Sequence, residues 1–183
     1  MTMTSADPIA AKLDQLFAAT DTDNDGYVEW ADYQRLIDRY LNTYRIDKSD
    51  RRAQALTIAY QMFWVELLRH ANGQDRLARE EYHRASLAAS VDTSRFNMVE
   101  GLTHAIFDVI DSDGDNTISK PEFHQYLKVW DVNDPAALEV FQQLDTDGDG
   151  AVSRLEFVRA VREFYYSPDL DAPGSLFFGR IGR

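Results

Sequence analysis

The chain has 183 residues, 44% of them hydrophobic and 27% charged, with a formal charge of −12 at neutral pH and no cysteine. That length supports one compact domain or two small ones, and the lack of cysteine excludes disulfides and thiolate metal sites. An acidic balance without a basic stripe argues against a nucleic-acid partner, and no apolar run approaches the roughly 18 residues that mark a membrane span.

The first residues, Met1 to Asp7, carry neither a basic nor an apolar stretch, so no secretory signal is read there and a cytoplasmic protein is expected. Asp7-Pro8 starts the first helix, an N-cap followed by proline at the first helical position. Ile9, Leu13, Leu16 and Phe17 then recur at helical spacing. The helix runs into Asp21-Thr22-Asp23-Asn24-Asp25-Gly26-Tyr27-Val28-Glu29-Trp30-Ala31-Asp32, where carboxylates stand at loop positions 1, 3 and 5, glycine at 6, an apolar residue at 8 and an acid at 12. Alternate residues of a tight loop converge, so Asp21, Asp23 and Asp25 surround one point, with the Tyr27 carbonyl and Asp32 completing the set. Such a shell of about six to eight hard oxygens suits a calcium ion. Asp32 is one methylene shorter than the glutamate usual at this position, which shifts the site toward fewer ligands and lets Mg²⁺ compete there most. Tyr33, Leu36, Ile37, Tyr40 and Leu41 form the stripe of the exiting helix.

A polar connector near Asn42 to Asp50 precedes a long helix from about Ser49, with Leu56, Tyr60, Phe63, Trp64 and Leu67 on one face. It leads into His70 to Glu81, where His70, Asn72 and Gln74 replace the three aspartates and Arg76 brings positive charge. Leu77 and Glu81 keep the apolar and closing positions, so this unit reads as helix-loop-helix without a metal. A break near Ser90 to Thr93 divides the chain, and Phe96, Val99, Leu102, Ile106 and Ile110 mark the next helix.

The third loop, Asp111 to Glu122, places Asp111, Asp113, Asp115, the Thr117 carbonyl and Glu122 at the liganding positions. Asn116 stands there for glycine at position 6, a residue that tolerates left-handed backbone. Phe123, Tyr126, Leu127 and Trp130 follow, and Asp134-Pro135 repeats the opening cap. Ala137, Val140, Phe141 and Leu144 lead into the fourth loop, in which Asp145, Asp147, Asp149, the Ala151 carbonyl and Glu156 are the expected ligands and Ser153 lies where a bridging water often helps. Phe157, Val161, Phe164 and Tyr165 lead out. In the tail, Pro168, Pro173 and Gly174 preclude a regular helix, yet Leu170, Leu176, Phe177 and Phe178 are apolar and are expected to cover a groove between the two halves of the body.

These loops resemble EF-hands, in the register calcium, empty, calcium, calcium. Thirteen of the 31 acids sit in the three acidic loops, leaving 18 against 19 Lys plus Arg, so the negative charge is local to the ion sites. The position-8 residues pair loops back to back, Val28 with Leu77 and Ile118 with Val152, which keeps the empty unit as scaffold. The expected architecture is all-α: residues 1–90 an N-terminal pair, 91–166 a C-terminal pair, and 167–183 a tail packed on the body.

Four units with the second degenerate, together with the tail Asp171-Ala-Pro-Gly-Ser-Leu-Phe-Phe-Gly179, resemble calerythrin and the sarcoplasmic calcium-binding proteins. The resemblance covers essentially the whole chain and implies a cytosolic, monomeric calcium buffer or transporter with three occupied sites. The alternative is a sensor that opens a groove for a target protein; only four methionines are present, two of them among the first three residues, which disfavours an adaptable groove. A photoprotein-like small-molecule binder is a minor alternative, since the tail has no histidine and Trp30, Trp64 and Trp130 read as core. No enzyme is expected: His70, His83, His104 and His124 are scattered, and no Gly-rich phosphate loop is present.

Overall fold

A computed structural model describes residues 7–91 and 98–180. The expected hydrophobic residue Phe96 and the break residues Asp92 and Thr93 lie outside the described residues, as do 1–6 and 181–183. Four helix-loop-helix units follow one another. α1 (Pro8–Thr20), β1 (Tyr27–Glu29) and α2 (Trp30–Tyr44) make the first; α3 (Arg51–Leu68), β2 (Arg76–Ala78) and α4 (Arg79–Val91) the second. α5 (Met98–Ile110), β3 (Thr117–Ser119) and α6 (Lys120–Val129) make the third, and α7 (Pro135–Leu144), β4 (Ala151–Ser153) and α8 (Arg154–Tyr166) the fourth. A single 3₁₀ turn, Pro173–Leu176, closes the chain.

The helix starts follow their caps. Asp7 Oδ1 accepts from Ile9 N at 3.0 Å and Asp134 Oδ1 from Ala136 N at 2.7 Å, each satisfying a donor that the first turn leaves open. The loops pair through short antiparallel ladders, Val28 opposite Leu77 and Ile118 opposite Val152, with all four side chains fully buried. The second unit, whose loop lacks the three aspartates, keeps its place because its strand satisfies the backbone of the first.

Both pairs share one hydrophobic core. α3 lies along α5, α2 against α6, and α1 against α8, so the halves are interleaved rather than strung together. The buried face of α5 is wider than the expected one. Phe107, Val109 and Ile110 are fully buried apolar side chains, while Val99, Leu102 and Ile106 are partly buried against the core and line a cavity. Phe107 turns inward because it meets Phe157 edge-on, with centroids 5.9 Å apart, and carries the Arg154 guanidinium 4.2 Å from its ring.

The tail folds back onto the body, but its seat is narrower than a groove between halves. Phe177 is ringed by Phe123, Tyr126 and Phe157, and Phe178 meets Trp130 and Phe164, all from the C-terminal pair. From the N-terminal pair α1 reaches it, through Lys12 and Gln15. Two glycines let it approach: a Cβ on Gly174 would stand 2.0 Å from the Ala160 carbonyl oxygen, and Gly179, at φ +89°, would meet Asp134.

Lys12 is fully buried, and its ammonium donates to the carbonyls of Glu163 (3.0 Å) and Ser167 (2.7 Å) and to Ser175 Oγ (3.2 Å). Burial pulls its pKa from 10.5 down to about 8, with Glu163 and Asp169 opposing the shift. The folded chain thus gives up this proton before the unfolded one does, and between those two values the unfolded state binds more protons. Stability from this group is expected to rise as pH goes from about 8 to 10.5. Denaturation of the native chain and of Lys12→Met across that range checks it: the stability of the native chain relative to the variant should climb with pH, and a flat difference would contradict it.

Candidate metal centres

In each acidic loop the last residues are also the first turn of the exiting helix. Ser119 and Glu122 form a capping box at the start of α6, and Ser153 and Glu156 do so at α8. Ser153, expected near a bridging water, instead donates to Glu156 Oε2 through both N–H and hydroxyl at 2.8 Å. Residues at loop position 2, which sequence reasoning passed over, hold the other oxygen. Ser112 donates to Glu122 Oε1 from N (2.9 Å) and Oγ (2.8 Å), and Thr146 to Glu156 Oε1 from N (2.8 Å) and Oγ1 (2.7 Å).

The loop backbone aims the first aspartate inward. Asp21 accepts from Asp25 N (3.1 Å) and Gly26 N (3.0 Å). Asp111 accepts from Gly114, Asp115 and Asn116, and Asp145 from Gly148, Asp149 and Gly150. Asp25, Asp115 and Asp149 each take the amide two residues on, from Tyr27 (2.9 Å), Thr117 (2.8 Å) and Ala151 (2.9 Å). Those three residues begin the strands, so the carbonyls expected as ligands lie at the turn from loop into ladder. Asn116 has φ +67°, the left-handed conformation expected of it.

Three carboxylate groups converge in each acidic loop: Asp21, Asp23 and Asp25; Asp111, Asp113 and Glu122; Asp145, Asp147 and Glu156. Within each set the offered oxygens lie within 4.8 Å of one another, a spacing and donor type that fit a hard divalent cation. Charge crowding is visible in the third loop. Burial raises the Asp111 pKa, Asn116 and Gly114 amides oppose the rise, and the negative charges of Asp115 and Glu122 add to it. At Glu156 burial also pushes upward, but hydrogen bonds from Ser153 and Thr146 outweigh it and hold the pKa at about 2.

Asp32 differs. It is fully buried and caps α2 through Glu29 N (2.9 Å) and Thr22 N (2.9 Å), as the two glutamates do in their loops, but it is absent from the first convergent set. Its pKa is lowered: burial raises it, and the hydrogen bonds from Glu29, Thr22 and Arg35 bring it down. In the second loop Glu81 retains only the capping contact, accepting from Ala78 N at 3.1 Å. Arg76 there is exposed and lies 4.0 Å over the Tyr27 ring of the paired first loop, so its charge is directed across the ladder.

Residues 99–162 match the family of EF-hand domain pairs, and residues 7–40 match a second family of the same description. The chain carries EF-hand domains. The fold extends beyond the matched stretches, with hands one and two pairing as hands three and four do. A Streptomyces coelicolor calcium-binding protein is 25% identical, with a TM-score of 0.73 over 86% of this chain and 97% of that one. A light-sensitive photoprotein is 26% identical, with a TM-score of 0.70 over 86% and 82%. Calcium-loaded apo-aequorin from Aequorea victoria, 20% identical over 88% and 92% with a TM-score of 0.72, shares the fold. No curated protein matches the sequence. Calcium is therefore the ligand these hands support, through three candidate acidic loops. No helix among the described residues is long and apolar enough to cross a membrane.

Proposed function

We propose that the protein is a cytosolic, monomeric calcium buffer with three ion sites, of the calerythrin and sarcoplasmic type. The ligands are Asp21, Asp23, Asp25, Tyr27 and Asp32; Asp111, Asp113, Asp115, Thr117 and Glu122; and Asp145, Asp147, Asp149, Ala151 and Glu156. One observation carries the buffer reading: Leu176 and Phe177 are each 3% exposed, so the tail fills the apolar cup that a target helix would need. A buffer changes little of its surface on loading.

The opposing reading is a sensor. The Streptomyces relative is described as acting in calcium-mediated regulation, and Ile58, Met62 and Val65 leave an apolar row exposed on α3. Calcium titration with a surface-hydrophobicity dye separates the two. The buffer reading expects three ions per chain and a small change in dye signal; a large calcium-induced rise supports the sensor, and a stoichiometry of four or a metal at Glu81 overturns the site assignment.

A photoprotein-like ligand is disfavoured by size. The cavity, lined by Thr20, Tyr33, Tyr60 and Tyr82 among others, is ≈ 90 Å³. That is less than the roughly 150 Å³ that admits benzene. Among the described residues Thr20 Oγ1, Tyr33 Oη and Tyr60 Oη are buried with no partner in hydrogen-bonding geometry. Waters would satisfy these hydroxyls.

Magnesium is expected to compete most at the first hand, because Asp32 reaches the ion less easily with both oxygens. Asp32→Glu should raise the calcium-over-magnesium preference of that hand severalfold and leave the other two alone. Competition titrations read by hand-specific amide shifts check this, and an unchanged ratio would contradict the argument from reach.

A further inference from the structure

In the first hand a guanidinium is bonded to the loop carboxylates themselves, whereas Lys120 and Arg154, the basic residues within the third and fourth loops, form no ion pair with their own loop's acids among the described residues. Arg35, on α2, places Nη2 2.7 Å from Asp23 Oδ2 and 2.7 Å from Asp32 Oδ1, and its Nε donates to the Thr22 hydroxyl. Asp23 belongs to the convergent carboxylates of that loop, and Asp32 is its twelfth-position acid. The corresponding residues are Gln125 in the third hand and Arg159 in the fourth; Arg159 is exposed and has no ion pair among the described residues.

We propose that Arg35 acts as a resident cation that sets the calcium affinity of the first hand. The inference rests on the reading of that loop as an ion site. Including Glu29, the first loop carries five acids and no base, where the third and fourth carry four acids and one base each (Lys120 and Arg154), so charge alone makes it the strongest attractor. The guanidinium offsets half of that excess of two charges. It is bound where a carboxylate must turn to the ion, so calcium has to take Asp23 from it. It also explains how Asp32 stays buried with no glutamate reach: the side chain that falls short of the convergent set is paired instead with a cation from its own helix, three residues on. Holding two carboxylates of the metal-free loop together, Arg35 stabilises the empty hand and weakens the filled one. Its side chain is 41% exposed, so the competition is screened by salt.

The test is Arg35→Gln in the full chain, followed by amide resonances during calcium titration. Gly26 reports the first hand through its bond to Asp21, Asn116 the third through Asp111, and Gly150 the fourth through Asp145. The expected result is a Gly26 midpoint lower by roughly fivefold, the upper end for a half-exposed ion pair, with the Gly150 midpoint unchanged. Arg159→Gln should move neither. The melting temperature should fall in chelator and rise with calcium, a divergence that lost packing does not produce, since that lowers both. A Gly26 response appearing only in the variant supports the proposal in its strongest form. A Gly26 response of equal midpoint in both proteins overturns it and leaves the three-site reading intact. Silence of Gly26 in both overturns the first hand as a site, and this inference with it.

Discussion

Chelation of divalent ions is expected to lower the melting temperature by roughly 15–30 °C. Each site held at about 100 times its dissociation constant adds about 2.7 kcal/mol to the folded state, so three add about 8 kcal/mol. For a chain of this size each kcal/mol is worth roughly 2–4 °C. The effect is expected to spread beyond the loops, because the acids that surround the ion also start the exiting helices: Glu122 caps α6 and Glu156 caps α8. Asp115 and Glu122 are repulsive neighbours of Asp111, whose pKa burial and their charges raise. Calorimetry with calcium and with chelator checks this; a difference of only a few degrees would mean that the carboxylates converge without binding strongly.

Phe177→Ala is expected to cost about 3–5 kcal/mol, the usual range for removing a buried phenylalanine ring. That corresponds to a fall of roughly 6–20 °C in the loaded protein. The ring is 3% exposed and touches Phe123, Tyr126 and Phe157, which belong to α6 and α8 on either side of two ion loops. Collapse around the gap is limited, because Gly174 holds the tail against the Ala160 carbonyl with no room to shift inward. The same variant should bind more hydrophobic dye when loaded, as the cup opens. A melting temperature within about 2 °C of the parent would show that the tail contributes little and would remove the main support for the buffer reading.

The acidic loops were legible in the chain because their chemistry is local. Every candidate ligand of a hand lies within twelve residues, and the spacing that brings Asp145, Asp147 and Glu156 together also places Glu156 at the start of a helix, while Asp149 stands outside that convergent set. The pairing of Val28 with Leu77 and Ile118 with Val152 was legible for the same reason, since each apolar position marks its own strand. The second loop departs from the others at His70, Asn72 and Gln74, and that departure is visible in the sequence. The helix stripes that bury one clear face, such as Tyr33, Leu36, Ile37, Tyr40 and Leu41 on α2, were equally plain.

What depended on distant parts of the chain was not. Phe107 and Val109 are buried in addition to the expected stripe because of what α3 and α8 bring to α5, and no periodicity within α5 contains that information. The tail showed that it must be covered but not by which helices; its seat needs Lys12, more than 150 residues earlier, at the carbonyls of Glu163 and Ser167. Arg76 looked like a charge aimed into an empty loop, and only the ladder turned it onto Tyr27. Nothing in the twelve-residue loop specifies Arg35, which lies three residues beyond it; the fold sets its guanidinium between Asp23 and Asp32. Spacing along twelve residues determines which atoms face an ion; the packing of eight helices decides which other charges stand beside them, because those charges arrive from elements that the loop itself does not specify.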